Sequence, residues 1–266
     1  MEGKIIPFRP KIGDKYGRKV WECGCRDIEL NLILKIISVL ISLPYFHTPT
    51  LSSHTPILPY SHTFLYFYTV NYLAHAFLSF GDPDILAGNM ISDFVKGKKK
   101  FDFPDRIQMG ITLHRKIDEY TDTHPATKEA KQFLKSAAGS YAGAFVDIIY
   151  DHFLANDGYE FEEGALAVFS QNTYKQLESY EQWLPEKFQG FFFYMRTQDW
   201  LLNYRSTEGI QNSFRGLCRR AKYIDDPKLV FDAFLDHYEE LKMAYEFFFP
   251  HVKTFAYHEL LYLRGS

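Results

Sequence analysis

Four short stretches of this chain set amide, acidic or imidazole side chains one helical turn apart. In LHRKIDEYTD (113–122), His114, Asp118 and Asp122 fall at successive four-residue steps. A helix carries residues so spaced along one stripe. AFVDIIYDHFLA (144–155) holds Asp147, Asp151 and His152, with its two aspartates one turn apart. NYLAHAFLSF (71–80) spaces Asn71 and His75 by four, and GNMISDFVKG (88–97) does the same with Asn89 and Asp93. The chemistry these types share is cation binding. Imidazole with carboxylate suits Mn²⁺, Fe²⁺ or Zn²⁺, whereas carboxylates alone suit Mg²⁺.

The setting of these groups sharpens the reading. Ile107 and Ile111 precede His114 and Asp118 on the same face, so the polar stripe continues an apolar one. AFVDIIYDHFLA is apolar almost all round, as a buried helix is. An isolated buried carboxylate is costly unless it is protonated, paired or bound to metal. Two on one buried face also repel, and a divalent cation relieves both penalties. Simpler readings stand beside this one. A lone buried histidine is more often a satisfied core residue than a ligand, and a His–Asp pair at this spacing is often only a local contact. Asp122, followed by Thr123, His124 and Pro125, also suits a helix cap. Four such segments in succession favour a metal site. No P-loop, dinucleotide-binding glycine pattern, G-x-S-x-G elbow or H-E-x-x-H motif occurs. The Glu-x-x-His pairs of di-iron bundles are not seen in these segments.

These stretches need helices to hold them, and from Asn71 onward the pattern is helical. Asp82-Pro83 predicts a helix to about Lys96, ended by Gly97. Phe103-Pro104 opens the next, to about Thr123; Pro125 opens a third; 140–156 forms a fourth. Weaker patterns cover about 161–180, 186–202 and 207–221. Asp226-Pro227 opens a last long helix to about Phe249, and Pro250 interrupts the pattern before an aromatic tail. The expectation is an all-α globular multi-helix bundle of about eight helices over residues 70–266. Residues 1–69, with six prolines and the Ser/Thr/His-rich FHTPTLSSHTPILPYSHT (46–63), read as an irregular, poorly structured N-terminal extension.

Composition narrows the class. The chain has 266 residues, a net charge of -3 and an aromatic share of 18%, so it is no polycation built for nucleic acid. Three cysteines, an odd count without framework spacing, suit free thiols in a reducing cytoplasm. The apolar stretch LNLILKIISVLISLP (30–44) is broken by Lys35 and too short to span a bilayer stably. Nothing in the sequence sets an oligomeric state.

NYLAHAFLS, LAGNMISDFVKG, GITLHRKIDEYTDTHP, VDIIYDHFLA and WLLNYRSTEGIQNSFRGL (200–217) together resemble the acyl carrier protein phosphodiesterases, from about Val70 to about Pro250. The resemblance implies an all-helical fold distantly related to the HD-type metal-dependent phosphohydrolases. It implies hydrolysis of holo-acyl carrier protein to the apo form and 4′-phosphopantetheine. The implied cofactor is a divalent metal, Mn²⁺ first, with Mg²⁺ or Fe²⁺ as alternatives. The positions that match the family's polar blocks are His75, Asp93, His114, Asp118, Asp147, Asp151 and His152, taken as metal ligands. Asp93, His114, Asp118 and His152 are the candidates for catalysis, with His152 or His114 protonating the leaving alkoxide. Asp151-His152 reverses the His-Asp order of the HD group, so ligand roles do not transfer directly. Nothing in the family resembles residues 1–69, and the functional chain is expected to begin at Val70.

An acidic carrier calls for a basic docking face. Lys96, Lys98, Lys99 and Lys100 follow Asp93 directly, Arg215, Arg219 and Arg220 cluster later, and Arg115 or Lys116 suits the phosphate. The rival readings are a metal phosphohydrolase acting on a nucleotide or other small phosphoester, and a non-enzymatic helical binding protein.

Overall fold

A computed structural model describes residues 71–219 and 226–265. The expectations for residues 1–69, including the apolar stretch at 30–44, Cys23 and Cys25, lie outside the described residues, as does Arg220. Among the described residues the regular structure is helical. The α-helices are α1 (Tyr72–Phe77), α2 (Pro83–Ile91), α3 (Asp105–Thr123), α4 (Pro125–Ala138), α5 (Ala142–Ala155), α6 (Ala165–Ser179), α7 (Glu186–Thr197), α8 (Trp200–Asn203), α9 (Thr207–Cys218), α10 (Pro227–Asp236) and α11 (Tyr238–Gly265). No described helix is long and apolar enough to cross a membrane.

Local chemistry sets the helix starts. Asp82 accepts from the amides of Asp84 and Ile85, with Pro83 at the first position of α2. His124 accepts from Ala126 at the start of α4, Ser206 from Gly209 at α9, and Asp226 from Lys228 at α10. Asp82 also pairs with Arg106 at the start of α3 and, at 2.7 Å, with Arg264 near the end of α11.

The centre of the bundle is α5. Phe145, Ile148, Ile149, Tyr150 and Leu154 are buried on it, and α1, α4, α9 and α11 pack around it. A helix surrounded in this way must be apolar on every side. The closest crossing is α2 on α3, where glycines let two backbones touch. A Cβ at Gly88 would lie 2.1 Å from the Ile107 carbonyl oxygen, and one at Gly110 would lie 2.4 Å from that of Ile85. The crossing places Asn89 beside α1, and His114 one turn beyond Gly110.

Three helix limits differ from the sequence pattern. First, α2 ends at Ile91 rather than near Lys96. A 3₁₀ turn at Ser92–Phe94 follows, then extended Val95, and Gly97 (φ 57°) starts a second 3₁₀ segment to Asp102. The Ser92 hydroxyl donates to the Ile111 carbonyl (3.3 Å) and Val95 is buried, so contacts with α3 outweigh continued helix. Second, the stretch 186–202 breaks at Asp199, which adopts a left-handed conformation (φ 46°). Ser170 and Gln171 donate to its carboxylate, and Asp tolerates that region better than most residues. Third, the last predicted helix breaks at His237, and α11 then runs through Pro250 to Gly265. Pro250 is exposed, so the helix bond it cannot make is left to water, while Phe248, Phe249 and Val252 pack inward.

Candidate metal centre

His75 comes from α1, His114 and Asp118 from one face of α3, and Asp93 from the 3₁₀ turn after α2. The two imidazoles stack with centroids 3.9 Å apart and planes 17° from parallel. Both turn their Nε2 atoms to one carboxylate. His75 Nε2 lies 3.2 Å from Asp118 Oδ1, and His114 Nε2 lies 3.1 Å from Asp118 Oδ2. His114 Nε2 is also 3.3 Å from Asp93 Oδ1. One donor atom from each of His75, His114 and Asp118 falls within 4.8 Å of the others. Donors sharing an ion at ~2.1 Å sit roughly 3 Å from one another, so the spacing fits a common cation. Both histidines are buried, whereas the carboxylates of Asp93 and Asp118 reach solvent, at 20% and 35% side-chain exposure. The cluster is therefore reachable from its acidic side.

The electrostatics match a cation site. Burial works against charge on His114, but Asp118 and Asp93 beside it raise its pKa to about 10. Burial and the neighbouring His114 lower that of His75. Burial would raise the Asp118 pKa, yet the neighbouring His114 holds it well below the usual carboxylate range. Asp147 on α5 stands near enough to feel this charge. Burial, then Asp118 and Asp122, push its carboxyl up to about 8. It lines a small, partly open recess with Asn71, Ala74, Ile117, Thr121 and Tyr150.

The structure does not bring Asp151 and His152 to the cluster. Asp151 accepts from the backbone amides of Leu73 (2.9 Å) and Ala74 (2.8 Å). Asn71, the residue before α1, offers no side-chain cap, so a carboxylate from α5 serves that helix end instead. Burial pushes the Asp151 pKa well above its ordinary value, and the two amides pull it back. This contact locks α1 just ahead of His75. His152 Nδ1 donates to the Tyr204 carbonyl (2.7 Å), since a carbonyl only accepts, and its Nε2 lies 3.0 Å from the Tyr238 hydroxyl. Both ring nitrogens are thus engaged in joining α5 to the segment after α8 and to α11. Of the two aspartates spaced one turn apart on α5, Asp151 meets the start of α1 whereas Asp147 lies beside α3. Asp122 pairs with Lys131 of α4 at 2.7 Å.

The basic residues divide. Lys96, Lys98 and Lys99 are exposed just after Asp93, and Lys100 lies over the Phe101 ring at 5.1 Å. Arg115 donates to the Val95 carbonyl at 2.7 Å, bracing the segment that carries Asp93. Lys116 pairs with Glu259 of α11 at 3.1 Å. Arg215 contacts Asn212 (3.2 Å) and lines a mixed-charge recess with Asp226, Lys228 and Asp232. Arg219 lies exposed beyond the end of α9. The sequence pattern singled out Asn89 only as a polar pair with Asp93 and gave Ser79 no role. Asn89 Oδ1 lies 2.8 Å from His75 Nδ1, and Ser79 donates to the His75 carbonyl (2.8 Å). The glycine contact that sets Asn89 against α1 also left no periodic signal.

The family model described as acyl carrier protein phosphodiesterase matches residues 70–252. This chain belongs to the acyl carrier protein phosphodiesterase family. Curated relatives of that name agree. One from Escherichia coli O139:H28 is 30% identical over 196 residues, covering 72% of this chain and 100% of the relative. One from Photorhabdus laumondii is 29% identical over 184 residues, covering 69% and 93%. One from Shigella boydii serotype 4 is 30% identical over 196 residues, with 72% and 100% covered. No solved structure matches the chain significantly.

Proposed function

We propose that this chain hydrolyses the phosphodiester between 4′-phosphopantetheine and the serine of holo-acyl carrier protein, using a divalent ion held by His75, His114, Asp118 and Asp93. The observation that carries the reading is the convergence of two imidazole nitrogens and a carboxylate within 4.8 Å in a chain of this family. Mixed nitrogen and oxygen donors favour Mn²⁺, with Fe²⁺ next and Mg²⁺ third. Such an ion lowers the pKa of a bound water and neutralises charge on phosphoryl oxygens. Asp118 spans both rings and holds their Nε2 atoms on one side. Asp93 closes the set from the solvent side, where a phosphodiester arrives. Hydrolysis forms a bond from water oxygen to phosphorus and breaks that from phosphorus to the serine oxygen, which leaves with a proton. His75 and His114 hold the ion and His152 faces Tyr204 and Tyr238, so the proton for the serine oxygen comes from water at the exposed side of Asp93 and Asp118.

Lys96, Lys98, Lys99 and Lys100 form the docking edge for the acidic carrier, being the basic group next to Asp93. Arg115 acts by bracing Val95, and Arg215 lines a recess with Asp226, Lys228 and Asp232. Cys218 is a buried free thiol, in keeping with a cytoplasmic enzyme. The test is incubation with holo-carrier and Mn²⁺, read by intact mass. Loss of the 4′-phosphopantetheine mass is expected with the wild type and absent with Asp118→Asn. An unchanged carrier mass with Mn²⁺, Mg²⁺ and Fe²⁺ in turn would reject the reading.

A further inference from the structure

We propose that Asn89 is a positioning residue that holds His75 as its Nδ1–H tautomer and so keeps a lone pair on Nε2 for the ion; this rests on the metal-centre reading above. The argument begins with the Asn89 amide. Its Nδ2 lies 2.8 Å from the His75 backbone oxygen and 3.1 Å from Ser79 Oγ. A backbone carbonyl only accepts, so the group facing it must be the NH₂. Ser79 spends its own hydrogen on the same carbonyl at 2.8 Å, leaving its oxygen to accept the second Nδ2 hydrogen. Both amide hydrogens are then placed, and the amide cannot be turned over without setting its oxygen against the carbonyl.

Asn89 Oδ1 therefore faces His75 Nδ1, at 2.8 Å. An amide oxygen only accepts, so Nδ1 carries the hydrogen. A neutral imidazole has one donor nitrogen and one acceptor, which makes Nε2 the acceptor. That atom lies 3.2 Å from Asp118 Oδ1, another acceptor. Two acceptors facing each other need a proton or a cation between them, and the device that creates this arrangement is wholly interior. His75 and Ser79 are 1% exposed and Asn89 0%. The other ring differs, since His114 Nδ1 finds no hydrogen-bond partner among the described residues. One imidazole is thus preset through its outer partner and the other is left to adjust. Such partners of a ligating histidine typically account for 10–100-fold in ion affinity.

The test uses the full chain with ¹⁵N-labelled histidine, ion-free at pH 8, in long-range ¹H–¹⁵N spectra, followed by Mn²⁺ titration. The wild type should show His75 as Nδ1–H. Asn89→Leu should mix the tautomers and weaken Mn²⁺ about 10–100-fold. Asn89→Asp, protonated in this buried site, still accepts from Nδ1–H and donates to the His75 carbonyl. It should keep the tautomer and most of the affinity. An Nε2–H signal in the wild type overturns the proposal, as does Asn89→Leu with tautomer and affinity unchanged. Should Asn89→Leu fail to fold, the wild-type and Asn89→Asp spectra decide. An Nδ1–H wild type that binds no Mn²⁺ supports the tautomer assignment and rejects the metal centre instead.

Discussion

Replacing Gly110 by alanine should destabilise the protein and disturb the site together, although alanine is the better helix former. The added Cβ would sit 2.4 Å from the Ile85 carbonyl oxygen, 2.9 Å from Gly88 Cα and 3.0 Å from the Asn89 amide nitrogen. All three are backbone atoms, so no side chain can swing aside. Carbon and carbonyl oxygen rest roughly 3.3 Å apart, so α2 and α3 must part by about 0.9 Å. A gap of that size forfeits about a quarter to a half of each contact along the crossing. Overpacking of this kind costs up to about 3 kcal/mol, and better helix propensity returns about 1 kcal/mol. The net loss is about 2 kcal/mol, or roughly 4–8 °C in Tm for a domain of this size. His114 lies one turn from Gly110, and a displacement near 1 Å costs on the order of 10²-fold in turnover. Urea unfolding, with midpoint and slope fitted separately, measures the first effect, and carrier hydrolysis the second. Gly216 in α9 is the control, because a Cβ there meets nothing within 4 Å. Gly216→Ala should stabilise by about 0.4–1 kcal/mol. A Gly110→Ala midpoint at or above that of wild type would refute backbone contact as what sets the crossing.

Three further outcomes follow from the same geometry. Burial would raise the Asp82 pKa, but the Ile85 amide, Arg264 and Arg106 together lower it. A depressed folded pKa gives stability that is full above the unfolded value near ~3.9 and is lost as pH falls through the folded one. The stability gap between wild type and Asp82→Asn should therefore be present at neutral pH and shrink below about pH 4; a pH-independent gap in acid titrations would contradict this. Mn²⁺ at about 100 times its Kd should stabilise by about 2.7 kcal/mol, roughly 5–11 °C in a thermal melt. An equal shift in Asp118→Asn would place the ion elsewhere. Neutralising Lys98, Lys99 and Lys100 together should raise KM for holo-carrier at low salt with kcat little changed, and an unaltered KM would remove the docking edge.

Much of the fold was legible from punctuation. Asp82-Pro83, His124-Pro125 and Asp226-Pro227 mark helix starts because the cap and the proline act within one turn. Helix ends were less legible. Ser92 leaves the α-helix for a bond to Ile111 of α3, and α11 continues past Pro250 because the proline faces water. The pairing of His114 with Asp118 was readable because one face of one helix carries both. The separation of Asp151 and His152 from them was not, since both stretches show the same periodic pattern.

Sequence alone determined which side chains share a face, because 3.6 residues per turn is a property of the local backbone. Only the tertiary structure decided which faces meet. Gly88 and Gly110 bring α2 onto α3 at backbone distance, and Asp151 fastens the start of α1 to α5. Those two long-range contacts, invisible to any periodicity, set α1 and α3 where His75 meets Asp118.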